Sequence, residues 1–244
     1  MARTRVDLKR CNVYIADGYS ADDVAAVNNA AGYAAGDTTM LVDGTPAGAL
    51  PVGLLFTVVG SGRIHQITAV SGGPPTTSIT FNPGLSDDVL DDAVITFRGR
   101  AVRVTVGDGE LSYDEKRPLE YELDRGELDD VTEADQEPMD VSMNFRWDEI
   151  ASIPGASTPT IEEALKQEGP AATWESSDPE NCRIYAVDII VEHVPRCADG
   201  YTEIVTLPDF RYEDLPHNYN DGSIACTGRC NVTQAVKERL ALSN

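Results

Sequence analysis

The run Met139-Asp-Val-Ser-Met-Asn-Phe-Arg-Trp147 decides the fold class, because apolar side chains fill its odd positions and polar ones its even positions. Successive side chains of an extended chain point to opposite faces, so this spacing predicts a strand with one dry and one wet face. A helix would bring its apolar positions round every 3.6 residues, which this run does not do. Two other runs repeat the pattern. Val102, Val104 and Val106 alternate with Arg103 and Thr105, and Leu119, Tyr121 and Leu123 alternate with Glu120 and Glu122. Each is expected to bury one face, as strands of an antiparallel sheet do.

Working outward, Val13-Tyr-Ile-Ala16 reads as a strand stopped by Asp17-Gly18. Between Tyr19 and Phe97 the composition changes: Arg63 is the one basic residue, and ten of the chain's 20 glycines fall here. Five short strands are expected, over 38–42, 54–59, 64–70, 77–81 and 93–97. The turn signals between them are Asp43-Gly44, Gly60-Ser-Gly62, Gly72-Gly-Pro-Pro75 and Asn82-Pro-Gly84. Short strands at near-regular spacing predict a small β-barrel. Toward the C-terminus, Thr160 with Glu163 makes a capping box for a helix carrying Ile161, Ala164 and Leu165, stopped by Gly169-Pro170. A second short helix is expected over 232–240, capped by Asn231. Strands are expected over 184–194, 202–207 and 223–226, and His65, in the alternating strand 64–70, is expected as a surface or rim residue. The resulting expectation is a mainly β chain: a β-sandwich of residues 1–18 and 99–244, interrupted by a small β-barrel of residues 19–98. The alternative is two sequential domains with Arg3–Ala16 as a loose arm.

Composition narrows the function. The 244 residues carry 41 Asp+Glu against 19 Lys+Arg, a formal charge of −22. A field of that sign repels nucleic acid rather than binding it. No stretch approaches the ~20 apolar residues that a membrane helix needs. The basic start, Met1 to Cys11, is followed by no apolar run, so no secretory signal is expected and synthesis in a cytoplasm is. No nucleophile elbow, H-E-x-x-H, phosphate loop or dinucleotide fingerprint occurs, and no enzyme activity or cofactor is expected. Of five cysteines, Cys182, Cys197, Cys226 and Cys230 are weak candidates for a structural zinc site. Their spacing matches no finger or ribbon, and buried thiols or a late disulfide are open alternatives.

The placement of charge is informative. Gly107 to Ile150 holds sixteen acidic residues against Lys116, Arg117, Arg125 and Arg146, while Arg3, Arg5, Lys9 and Arg10 outnumber Asp7 at the start. In a homo-oligomer a basic arm of one copy can meet the acidic segment of the next, and such a head-to-tail contact propagates into rings or filaments. The candidate contact residues are Arg3, Arg5, Lys9, Arg10, Lys116 and Arg117 with Asp124, Arg125, Glu127, Asp129, Asp130, Glu133 and Asp135. Two unrelated solvated faces are the plain alternative.

Three runs carry a resemblance: Gly107-Asp-Gly-Glu-Leu-Ser-Tyr-Asp-Glu-Lys-Arg117, Tyr121-Glu-Leu-Asp-Arg-Gly-Glu-Leu-Asp129 and Glu137-Pro-Met-Asp-Val-Ser-Met-Asn-Phe145. With the opening Cys11-Asn-Val-Tyr-Ile-Ala-Asp-Gly18, and with Leu207-Pro-Asp-Phe210 and Gly228-Arg-Cys-Asn231, their order resembles major tail tube proteins of long, non-contractile-tailed bacteriophages. That resemblance implies a β-sandwich whose inner sheet joins an oligomeric β-barrel, closing as hexameric rings that stack into a virion tail tube. The implied partners are further copies of the chain, a tape measure protein inside the tube, and tail terminator and tail tip proteins. Double-stranded DNA would pass an acidic bore without specific binding. The inserted barrel is expected on the tube exterior, because inward barrels would block the bore. Removing it is expected to leave a folded sandwich. Other phage structural modules, such as capsid decoration or head–tail connector proteins, and a carbohydrate-binding adhesin are the competing readings.

Overall fold

The structure, a computed structural model, describes residues 11–19, 25–43, 50–73, 76–104, 106–125, 127–146, 158–180, 183–195, 201–218 and 220–241. Strand β1 (Cys11–Ala16) leads into a barrel made of β2 (Ala25–Val27), β3 (Thr39–Asp43), β4 (Leu54–Val58), β5 (His65–Gly73), β6 (Thr76–Asn82) and the long β7 (Val94–Val104). The path β2-β3-β6-β5-β4-β7 closes because β2 also pairs with β7, Ala25 opposite Ile95 and Ala26 opposite Val94. The five strands expected here are present. The sixth, β2, has three residues, too few to show a period. Closure leaves the barrel without an open edge, and its interior is filled by Met40, Leu54, Phe56, Ile67, Ile79 and Phe81.

Strand β7 does not end with the barrel. Its first part pairs with β4, and its last part, Ala101–Val104, pairs with Ala16–Val13 of β1. From β1 the sheet continues through β12 (Val187–His193), β13 (Tyr201–Asp214), β15 (Ser223–Cys230), β11 (Met139–Arg146) and β8 (Val106–Asp114). Residues 106–146 also contain a separate hairpin, β9 (Leu119–Asp124) with β10 (Glu127–Glu133). The short β14 (His217–Asn218) pairs with β15, and β16 (Val236–Ala241) pairs with β13.

The fourteen residues of β13 serve two sets of partners. Its first half lies between β12 and β16, and from Phe210 onward it pairs with β15. The change of partner coincides with Asp209, at φ 55°, and with a bulge opposite Val187–Ile189. Bulges bend a strand in this way. The bend lets Val13, Ile15 and Ile189 from one part of the sheet share a core with Val141, Phe145 and Phe210 from the other. Burying a phenylalanine side chain of this kind contributes about 1.5–3 kcal/mol.

The capping box is formed: the Thr160 Oγ1 accepts from the Glu163 backbone N–H, and a Glu163 carboxylate oxygen accepts from the Thr160 N–H at 2.8 Å. The resulting α1 (Ile161–Lys166) buries Ala164 and Leu165. It stops at Gln167, which turns left-handed at φ 58°, two residues before Gly169. Residues Gly169–Thr173 form a further 3-10 turn.

Three expectations are corrected. The second helix does not form: Val236–Leu240 of the expected 232–240 belong to the strand β16 (Val236–Ala241), in register with Thr206–Tyr201. Val236, Glu238 and Leu240 alternate with Lys237 and Arg239, and the edge of β13 supplied backbone partners that local helix propensity could not match. His65 is not at the surface but fully buried. The alternating run Leu119–Leu123 forms its strand, yet both faces of that strand are exposed.

Candidate functional site

Four strands, the end of β13 with β15, β11 and β8, form a wall whose two faces differ as the alternation requires. One face sends Met139, Val141, Met143, Ile224, Cys226 and Cys230 into the core. The other carries short polar side chains in register, with Ser142 between Ser112 of β8 and Thr227 of β15, and Asp140 between Asp114 and Arg229. A shallow depression of about 300 Å³ lies on this polar face, bordered by Asp114, Asp140, Glu213 and Arg229. Gly228 lies at its floor. A Cβ there would meet the Arg211 carbonyl oxygen at 2.1 Å, so only glycine lets β13 approach β15 this closely.

The charges on this face are cross-linked. Asp140 receives Lys116 Nζ at 2.7 Å and Arg229 Nε at 3.0 Å, and Lys116 also reaches Glu137 at 3.3 Å. The hydrogen bond from Lys116 holds the Asp140 carboxyl below its usual range. Lys237 does the same for Glu115, at 2.8 Å. Lys116, expected to face another copy, is thus engaged within its own chain, and so is Arg117, 3.3 Å from Glu133 on exposed side chains. Pairs this exposed contribute little to stability.

Both ends of the wall are open. Among the described residues β8 pairs only with β11, and beyond the Phe210–Val187 pair no strand is paired with the end of β13 on its β12 side, where the Arg211 guanidinium reaches the Ile184 carbonyl at 2.9 Å. Unpaired edges are sites where another strand can add.

Among the described residues the hairpin β9–β10 pairs with no further strand. Its cross-strand pairs put Leu123 opposite Leu128 and Tyr121 opposite Val131, one apolar face in all. Leu123 is 64% exposed, Leu128 66% and Tyr121 58%. Glu120, Glu122, Asp124, Glu127, Asp130 and Glu133 are exposed on the same hairpin, with Arg125 at its turn at φ 52° and Asp135 just beyond. The side chain of Asp129 and all of Arg3, Arg5, Lys9 and Arg10 lie outside the described residues.

Cys226 and Cys230 face the core opposite Met143 and Met139, and burial pushes both thiols up to about 12. Cys182 and Cys197 lie outside the described residues. Among the described residues no group of three or more His, Cys, Asp or Glu is arranged to hold a metal ion. Of the histidines, His193 pairs with Cys11 across β1 and β12, and His217 lies 3.2 Å from Glu162. His65 bonds Ser61 Oγ at 2.8 Å through Nε2 and the Pro83 carbonyl at 2.7 Å through Nδ1. A carbonyl only accepts, so Nδ1 carries the proton and Nε2 accepts from the serine. Enclosure by Phe56 and Phe81, each with its ring centre 5.2 Å away, pushes the imidazole down to about 4. Both Ser61 and His65 are buried, so this serine–histidine pair presents no face to a substrate.

Sequence reasoning missed the buried carboxylates. Glu192 is fully enclosed, and Asp17 accepts two hydrogen bonds from Arg100, both at 2.7 Å. Asp188, at the β13 bulge, is pushed up to about 6, first by burial and then by Asp209 and Asp17. Only Asp17-Gly18 left a local trace, as a turn signal. A scan of protein families finds no match for this chain, and a search of curated proteins finds no relative.

Proposed function

We propose that this chain is a structural protein that polymerises into a phage tail tube. The single observation supporting this is the four-stranded wall, without a paired strand at β8 and at Arg211–Asp214, with one face packed and the other carrying Ser112, Ser142, Thr227 and the carboxylates Asp114, Asp140 and Glu213 around Arg229. On this reading the body of the chain is a β-sandwich. The β8 edge of one copy pairs with the free end of β13 in the next, and hexameric rings close into a barrel whose inner face is the polar one. Ring closure removes the edges that a single copy leaves open. Asp114, Asp140 and Glu213 then line a bore of net negative charge, which repels the DNA backbone and lets genome slide through without binding.

The apolar face of β9–β10 contributes the axial contact between stacked rings, with the acidic side chains around it meeting Arg3, Arg5, Lys9 and Arg10 of a neighbouring copy. The six-stranded barrel stands on the outside. A tape measure protein occupies the bore during assembly, and terminator and tip proteins close the ends. The proposed location is the virion tail, after synthesis in the host cytoplasm.

Negative-stain electron microscopy of the purified chain tests this. Rings or tubes with a central hole are the expected result. Solitary particles at every concentration, capsid-bound knobs, or a bore lined with Lys and Arg would sink it.

A further inference from the structure

We infer that the six-stranded barrel is not a tethered module but the lid of one face of β1, β12 and β13, held at one angle by Glu192 and folding as one unit with the rest of the chain, the body. This inference stands on the chain's own contacts and does not depend on the tail-tube reading.

Leu55 and Ile64 at the base of the barrel are fully buried against Tyr14, Ala16, Ile190 and Ile204, side chains on the face of β1, β12 and β13 opposite the main core. Leu240 of β16 packs at the rim of the same cluster. Without the barrel this face is an apolar patch in water, and hydrophobic burial is what joins the two parts.

Glu192 gives the contact a direction. One carboxylate oxygen accepts from the Ile64 backbone N–H of the barrel at 2.7 Å, and the other accepts from Asn12 Nδ2 of the body at 2.8 Å. Asn12 is held in turn by Arg103 at 2.6 Å. A buried carboxylate tolerates enclosure only with its partners in place, so sliding or tilting the barrel leaves a charge unsatisfied. A second attachment lies where the chain enters and leaves the barrel. Asp17 grips Arg100 by backbone and guanidinium, and Arg100 reaches the Thr173 carbonyl at 2.8 Å. Gly99, at φ 91°, turns β7 so closely past Asp17 that a Cβ would meet its carbonyl oxygen at 2.2 Å. The strand crosses from barrel to body without a linker. Removing residues 19–97 therefore uncovers the sheet face, and the remaining chain is expected to aggregate rather than fold.

The test uses the full chain. Neither tryptophan falls within residues 19–97 of the sequence, and Trp174 packs in the main core, so tryptophan fluorescence reports on the body. Hydrogen exchange of Leu54–Val58 reports on the barrel. Phe81→Leu weakens the barrel core alone; Val58→Ala replaces it where Phe81→Leu yields no soluble protein. The expected result is that barrel protection and the tryptophan midpoint in denaturant fall together. A barrel that loses protection while the tryptophan midpoint stays in place overturns the inference. Glu192→Ala is expected to split unfolding into two transitions, and Glu192→Gln, which keeps an acceptor for Ile64, to preserve one. A single unchanged transition in Glu192→Ala removes Glu192 from its assigned role.

Discussion

Strands β11 and β9 are written in the same alternating code and meet opposite fates. The apolar side of β11, Met139 through Phe145, is sealed in the core, whereas Tyr121 and Leu123 of β9 stand mostly in water. Periodicity states which side chains share a face. It does not state what covers that face, because the cover comes from elsewhere in the chain or from another molecule. The apolar face of β9–β10 is large for a hairpin that packs on nothing else described, and exposed patches of this kind mark contact sites.

Substitutions on the two sides of that divide sharpen the contrast. Phe145→Ala removes a fully packed ring from the covered side and is expected to cost about 3–5 kcal/mol in denaturant unfolding of the single chain. An effect below about 1 kcal/mol would show that β11 is not the core strand described. His65 tests the covered side by acid. Its folded value of about 4 lies below the ordinary 6.5, so the unfolded chain takes up the proton first. Stability is then complete above pH 6.5, falls as pH drops through the interval, and levels off near pH 4, a loss of about 3 kcal/mol. Asp188 works with the opposite sign, since a carboxyl raised to about 6 binds its proton first in the folded state. The His65 contribution is therefore read as the difference between the wild type and His65→Gln across that pH range. Equal acid slopes in the two proteins would refute it.

Smaller effects follow at the periphery. Thr160→Ala removes the cap of α1 and is expected to cost about 1 kcal/mol in thermal unfolding. Tyr121→Ser with Leu123→Ser, on the uncovered side, is expected to change single-chain stability by no more than about 0.5 kcal/mol. The same double variant should abolish stacking into tubes by electron microscopy, as should Arg3→Glu with Arg5→Glu. Normal tubes from both variants would end the axial role of the hairpin.

Much of the fold was legible because its determinants are local. The alternation of Met139–Trp147, the turn residues between the barrel strands and the Thr160–Glu163 box each act within a few residues. Strand β16 was not legible: its partner Tyr201–Thr206 lies far away in sequence, and pairing decided what propensity could not. The same holds for Glu192 and Ile64, and for Asp17 and Arg100, whose sequence separations hide their contact. Of the candidate contact residues, the acidic set from Asp124 to Glu133 could be placed on one hairpin only once the register of β9 and β10 was known. The engagement of Lys116 with Asp140 could not be read from charge counts at all.

The two thiols sealed behind β15 have a practical consequence. Cys226 and Cys230 are shielded from reagents, and their raised values leave almost no thiolate to react. Alkylation must wait until the sheet parts, so the rate of labelling at these two positions is a built-in stopwatch for the opening of the wall, readable by mass spectrometry on unmodified protein.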